Sequence, residues 1–231
     1  MKIRAVLFTI ACAFINLSSH AYIQQDFNQL LSFQQCIHCD LTRSVIKFKM
    51  QNQAPTTQIH INESFLTNAK IQASDFSNAI IANSNAMRIL ISHSHFKDSQ
   101  FENIQFTYSM IDDVTITNSQ LFHINWNNSQ FINTQFQHSS FTGLNFNSSD
   151  LRFTEWSDCE FKDTNFEQSD LRGVDFHGSH FENTRFKHAD LRHVNLYNTN
   201  ITQQQLDEAL SYVCAILPDG KIYDQQGKEN C

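Results

Sequence analysis

The chain has 231 residues, 41% of them apolar, with 21 Phe but only 5 Gly and 2 Pro. That length suits one domain with a continuous core, and the scarcity of Gly and Pro argues against a sandwich or barrel built on many tight turns. The formal charge of −7 argues against a basic nucleic-acid-binding surface, and no stretch after the N-terminus is apolar enough to span a bilayer, so neither nucleic acid nor stable membrane insertion is expected.

The N-terminus reads as an export leader over residues 1–21. Lys2 and Arg4 form a basic start, Ala5 to Leu17 an apolar run, and Ser19-His20-Ala21 a small-x-small cleavage site that makes Tyr22 the first mature residue. Losing Lys2 and Arg4 takes the charge from −7 to −9. A lipidated Cys12 is the alternative, against which stands Thr9, rather than Leu, three residues earlier. Export implies a periplasmic or secreted location and an oxidising compartment for the remaining cysteines. Residues 22–40 then read as an N-terminal helical cap, with helical apolar spacing over Asp26 to Leu31, followed by Cys36-x-x-Cys39. That pair is a disulfide, a redox pair or half of a zinc site; no second CxxC or His pair at ligand spacing supports zinc.

From Ile61 to Ile201 every fifth residue is apolar, 29 consecutive times. Neither helix nor strand has that period, and a fixed period kept this long marks a solenoid. Leu41 and Ile46 hold the same register, which lapses at Gln51 and Thr56, around Pro55, and predicts a loop near 49–58. Two residues before almost every centre stands a small or β-branched residue, such as Ser99, Thr154 or Ala189, and the position just before the centre favours Asp, Asn, Gln or Glu. The pattern small–polar–apolar–x–x places one bulky and one compact side chain inside per repeat, with the hydroxyls bonded to backbone. Cys159 occupies a compact inner position and reads as a buried thiol.

This pattern resembles the pentapeptide repeat proteins, whose A(D/N)Lxx consensus is approached by Ser149-Asp150-Leu151-Arg152, Ser169-Asp170-Leu171-Arg172 and Ala189-Asp190-Leu191-Arg192. The resemblance implies an all-β fold: a right-handed quadrilateral parallel β-helix over 41–201, four repeats per 20-residue coil, with short helical caps at both ends. Stacked at ~4.8 Å, about seven coils make a body ~35 Å long. Residues 20 apart then share a face, as Leu151, Leu171 and Leu191 do, and Phe106, Trp126, Phe146, Phe166 and Phe186 form one aromatic column.

At the far end, Thr202 is placed to cap a helix over Gln203 to Val213 with Leu206, Ala209, Leu210 and Val213 as its apolar stripe. Residues 202–231 thus read as a C-terminal helix and a tail closed by Cys214 and Cys231. CxxCDL at the start and C-x-x-x-P-D-G…C at the end are similar to exported pentapeptide proteins, including those of the thylakoid lumen, with Leu217 standing where they often have Met. The family implies no catalytic chemistry.

Nor do the residues suggest any. The 11 His make no His–His stack at a spacing of 20, and read as solvated. Asp112-Asp113 and Asp158/Glu160 are neighbouring acids on a polar rod, and no phosphate loop or nucleophile elbow occurs. No catalytic, cofactor-binding or metal residue is assigned, and no cofactor is expected. The ordered charged feature is the strip Asp150, Arg152, Asp170, Arg172, Asp190 and Arg192, either mutually neutralising repeat residues or a contact strip. The segment Val114 to Ser149 holds no Asp, Glu, Lys or Arg. The expected function is a non-enzymatic, exported structural or interaction module whose partner is another protein, with the end caps offering a route to a homodimer. The alternatives are a DNA-mimic inhibitor of a topoisomerase, if the chain is cytoplasmic, and a β-helical carbohydrate-active enzyme.

Overall fold

A computed structural model describes residues 19–47, 58–224 and 231. Most of the leader and the loop around Pro55 lie outside the described residues. The fold is an all-β parallel solenoid with a short helix at each end. No helix among the described residues is long and apolar enough to cross a membrane.

The period of five becomes four faces per coil. Register centres 20 apart are hydrogen-bonded neighbours: Phe141 pairs in parallel with Leu121 on one side and Phe161 on the other. Among the described residues, eight strands from Gln35–Ile37 to His180–Glu182 build the sheet of the first face. A second sheet runs through Val45–Ile46, Lys70–Gln72, Leu90–Lys97, Met110–Thr117 and Gln130–Ile132 on the third face, and turns the corner onto the fourth through Gln135–Gln137. Elsewhere the ladder consists of single bridges, such as Asn125↔Asn145 and Asp150↔Asp170.

From Ile61 to Ile201 each register centre is buried, and so is the compact residue two before it, except Thr199 at the C-terminal end. The aromatic column of the second face stacks as its spacing requires: Phe106 to Trp126 at 5.3 Å, Trp126 to Phe146 at 5.3 Å, Phe146 to Phe166 at 5.1 Å. The inner serines satisfy backbone groups between coils. Ser119 Oγ accepts the Ser99 amide at 3.1 Å, and Ser99 Oγ donates to the Phe76 carbonyl at 2.8 Å. Cys159 takes a serine's place, and burial pushes its thiol up to about 12.

The corners carry a signal the sequence reading passed over. Two residues after each centre the backbone enters the left-handed region, as at Asn68, Asp98, His138 and Asn198, all with φ between 55° and 60° except His138 at 50°. Asn, Asp and His tolerate this region better than other non-glycine residues, which explains their recurrence at that position.

Both ends depart from the expected boundaries. The solenoid begins at Gln35–Ile37 rather than at Leu41, because Cys36 pairs with Ile61. Helix α1, Ser19–Phe33, opens on the residues of the expected cleavage site and buries Leu30 against the first coil. Asp26 on α1 accepts the Asp40 amide at 2.7 Å, supplying a bond that a preceding coil would otherwise make. Partners in the first coil lie 25 residues apart, Ile46 against Ile71, instead of 20, so five extra residues enter before Ile61. Helix α2 spans only Gln203–Glu208, not Gln203 to Val213. Thr202 caps it in a capping box with Gln205. The chain then rejoins the ladder, pairing Ser211 with Asp190 and Ile216 with Asn195. Leu210, expected on the buried stripe, is 68% exposed because its amide faces the Ala189 carbonyl at 2.8 Å as a ladder residue.

Candidate interaction surface

The interior is filled, so what the molecule offers is its faces. On the third face, Asp150, Asp170 and Asp190 form one column and Arg152, Arg172 and Arg192 a second, flanking buried Leu151, Leu171 and Leu191. Each Asp accepts the backbone amide of the Arg two residues on, at 3.2 to 3.3 Å, which fixes its rotamer. Each Arg donates through Nε and Nη2 to its own Asp, with Nη2 distances of 2.7, 2.6 and 2.6 Å along the column. Longer contacts join the rungs: Arg152 Nε to Asp170 at 3.6 Å, and Arg172 Nε to Asp190 at 3.7 Å. The six residues that spacing brought together are thus one continuous zipper. Burial pushes the Asp170 carboxyl up, but bonds from the Arg172 side chain and backbone and the charges of Arg172 and Arg152 outweigh it, leaving the group below its ordinary value. The guanidinium of Arg172 is held above its ordinary value by the hydrogen bond to Asp170 and that carboxylate's charge.

The second face is the amide surface of the uncharged segment. Asn125 donates to Gln105 at 3.0 Å, Asn145 to Asn125 at 3.3 Å and Asn165 to Asn145 at 3.2 Å, a ladder running along the rod. The amides therefore bond one another, and along the uncharged segment the face carries no charge until the Glu167–Arg185 pair.

The histidines lie at outer positions of the coils rather than in a centre. His93 lies 3.9 Å from Asp113, His138 3.9 Å from Asp158, and His177 stacks on Tyr197 at 5.8 Å. No group of three His, Cys, Asp or Glu side chains among the described residues is placed to hold a metal ion. Asp112 and Asp113 lie on the outside of the rod, while Asp158 and Glu160 line an open groove of about 370 Å³ beside His138. A groove of about 510 Å³ forms an open recess between Asp163, Arg185, Gln205 and Glu208 where α2 meets the last full coil.

Cys36 is disulfide-bonded to Cys39, and Cys214 to Cys231. Cys36 and Cys39 are 0% and 1% exposed, so the first pair is sealed beneath α1 rather than open to thiol exchange. Among exposed apolar residues Phe153 stands out at 73%. Its ring lies across Gly173 of the next coil, where an added Cβ would sit 2.6 Å from the ring carbons.

No functionally curated protein matches the sequence. The family description "pentapeptide repeat region" matches residues 111–196. Among solved structures, a trypsin-treated form of QnrB1, a plasmid-mediated fluoroquinolone resistance protein, aligns with a TM-score of 0.59 at 15% identity over 71% of this chain and 80% of that one. HetL, a pentapeptide repeat protein involved in heterocyst differentiation regulation in the cyanobacterium Nostoc, aligns at 15% identity over 82% of this chain and 91% of its own, with a TM-score of 0.30. A pentapeptide repeat protein of the Arabidopsis thaliana thylakoid lumen gives 0.21 at 15% identity, over 61% and 70%. Residues 111–196 are thus a pentapeptide repeat region, and the chain carries the four-faced β-solenoid fold that the five-residue register builds.

Proposed function

We propose that this protein acts by its outer faces, as a non-enzymatic rod that binds another protein. The observation that carries this reading is the filled interior. Among the described residues the register centres are buried from Cys36 to Leu206, so titratable groups meet only on the outside of the rod and in open surface grooves, where water is not excluded from a reacting atom. The leader and the two disulfides support an exported site of action. Mass determination of the protein recovered from the cell envelope fraction tests the location: a chain beginning at Tyr22 with four oxidised cysteines supports it, and an intact leader in the cytoplasm defeats it.

The likeness to QnrB1 favours a more specific form of the same surface reading, a rod that engages a topoisomerase in place of DNA. Of the two forms, this is the one with a solved structure behind it, although at 15% identity only the fold is shared. Charge argues in the other direction: Lys162 is paired with Glu182 at 2.9 Å and Arg185 with Glu167 at 3.1 Å, which interrupts any phosphate-like acidic column. A gyrase supercoiling assay with the purified chain from Tyr22 separates the forms. Dose-dependent inhibition that survives removal of the leader establishes the topoisomerase form. Full activity at saturating protein eliminates it and leaves the exported module.

A further inference from the structure

The third face has the chemistry to pair with a second copy of itself, and we propose that two rods associate side by side and parallel through the Asp/Arg zipper. This rests on the surface reading above and names one partner for it. The argument is one of symmetry. The Asp and Arg columns run parallel to the rod axis, on opposite sides of Leu171. A two-fold axis parallel to the rod and above Leu171 lays the Asp column of one copy over the Arg column of the other, at equal heights. A two-fold axis across the rod lays Asp over Asp and Arg over Arg. Like charges placed opposite each other cost several kcal/mol, so only the parallel arrangement is self-complementary.

The groups needed are available. Within the chain each guanidinium bonds its own Asp through Nε and Nη2, which leaves the Nη1 hydrogens of that fork for a second carboxylate. The arginines are 37% to 45% exposed and the Asp150 and Asp170 side chains 30%. Each Asp is fixed by the backbone amide it accepts, so little side-chain freedom is lost on docking. Toward the N-terminal end the same axis lays Val45 over Lys47, Lys70 over Gln72 and Met110 over Asp112, so no like charges meet there. A face about 16 Å across and about 35 Å long gives roughly 1,100 Å² buried over both copies, near the lower bound for a specific interface. The dimer is accordingly a weak one. The rod ends compete poorly for this role, because side chains already occupy their ladder positions: Asp26 bonds the Asp40 amide, and Asn200 bonds both the amide and the carbonyl of Phe181.

Two charge variants test the proposal. In the first, Arg152→Glu, Arg172→Glu and Arg192→Glu make the strip wholly acidic. In the second, Asp150→Asn, Asp170→Asn and Asp190→Asn keep the side-chain acceptor for the backbone amide and make the strip basic. Sedimentation equilibrium is run on wild type, each variant and their equimolar mixture, with circular dichroism confirming the native spectrum of each. The expected result is a wild-type dimer that weakens with salt, association about tenfold or more weaker for each variant alone, and recovery in the mixture. Orientation is read by mixing Asp170→Cys with Arg172→Cys: a cross-link in the mixture and in neither protein alone fits the parallel axis. A wild-type monomer at all concentrations overturns the proposal while leaving other protein partners open. So does a mixture no tighter than its components, or Asp170→Cys cross-linking to itself.

Discussion

Trp126 and Trp156 are both register centres, on the second and fourth faces, and only one of them has its indole N–H paired. Trp156 Nε1 donates to Thr154 Oγ1 at 2.6 Å, and its indole stacks on Phe136 at 3.8 Å. Trp126 Nε1 is buried and has no partner. An unpaired buried donor costs about 1–3 kcal/mol, comparable to what is lost when a core indole shrinks to a phenyl ring. Trp126→Phe is therefore expected to be near neutral, while Trp156→Phe also loses the bond to Thr154 and should be about 1 kcal/mol less stable than it, as read by urea unfolding. Gly173 gives a second contrast. Equivalent corners hold Asn, Asp, His and even Phe with positive φ, so the conformation does not demand glycine here; the Phe153 ring does. Gly173→Ala should cost about 1–3 kcal/mol through overpacking, and Phe153→Ala in the same chain should return most of it. No return in the double variant would mean that backbone strain sets the choice. At this scale the sequence declared its inward residues, since burial selects size and apolarity, but not the corner conformation, whose only trace was the recurrent Asn, Asp and His two places after each centre.

Among elements, the strand His180–Glu182 carries the clearest dependence on a single side chain. It is the last strand of the first face, and with no further strand beside it its edge would stand open. Asn200 closes it, accepting the Phe181 amide at 2.6 Å and donating to the Phe181 carbonyl at 2.9 Å, while Gln205 donates to the Thr184 carbonyl at 2.8 Å. Asn200→Ala should lower stability by about 1–2 kcal/mol and speed hydrogen exchange at the Phe181 amide, leaving the amides of Gln130–Ile132 unchanged. Uniform acceleration along the rod would instead place Asn200 in a global folding unit. Neither cap role was legible in advance, because Asn200 also fits the repeat as an ordinary polar residue before Ile201. Helix α2 misled for a related reason. Leu206, Ala209, Leu210 and Val213 have helical spacing, yet the offset of 21 residues between Asp190 and Ser211 shows that the chain spends one extra residue on the helix and then returns to the ladder. Local periodicity cannot register a hydrogen-bond edge that becomes available only when the preceding coil is already folded. The Asp/Arg strip, by contrast, was legible because both its columns follow directly from the 20-residue repeat.

For the whole molecule the relevant length is the coil, and stability is close to a sum of coils and the contacts between them. Contacts between coils are specific to face: aromatic over aromatic on the second face, amide over amide, Asp/Arg over Asp/Arg. Deleting Gln120 to Ser139 removes one coil and brings Phe106 against Phe146 and Ile111 against Leu151, all in native columns. Deleting only Gln135 to Ser139 keeps every centre pointing inward but turns the rest of the rod by one face. Trp126 then meets Leu151 instead of Phe146, and Asn125 meets Asp150 instead of Asn145. The 20-residue deletion should therefore unfold in one cooperative step with an m-value lower by about one coil's share of surface. The five-residue deletion, although smaller, should unfold in two steps, the mismatched boundary uncoupling the halves. The natural five extra residues of the first coil fit this rule: they enter before Ile61, and Cys36, Leu41 and Ile46 still face Ile61, Leu66 and Ile71 across an offset of 25. A single sharp transition for the five-residue deletion would mean that inward register alone, and not face identity, couples the coils, and the ordered faces would then owe their order to what they bind.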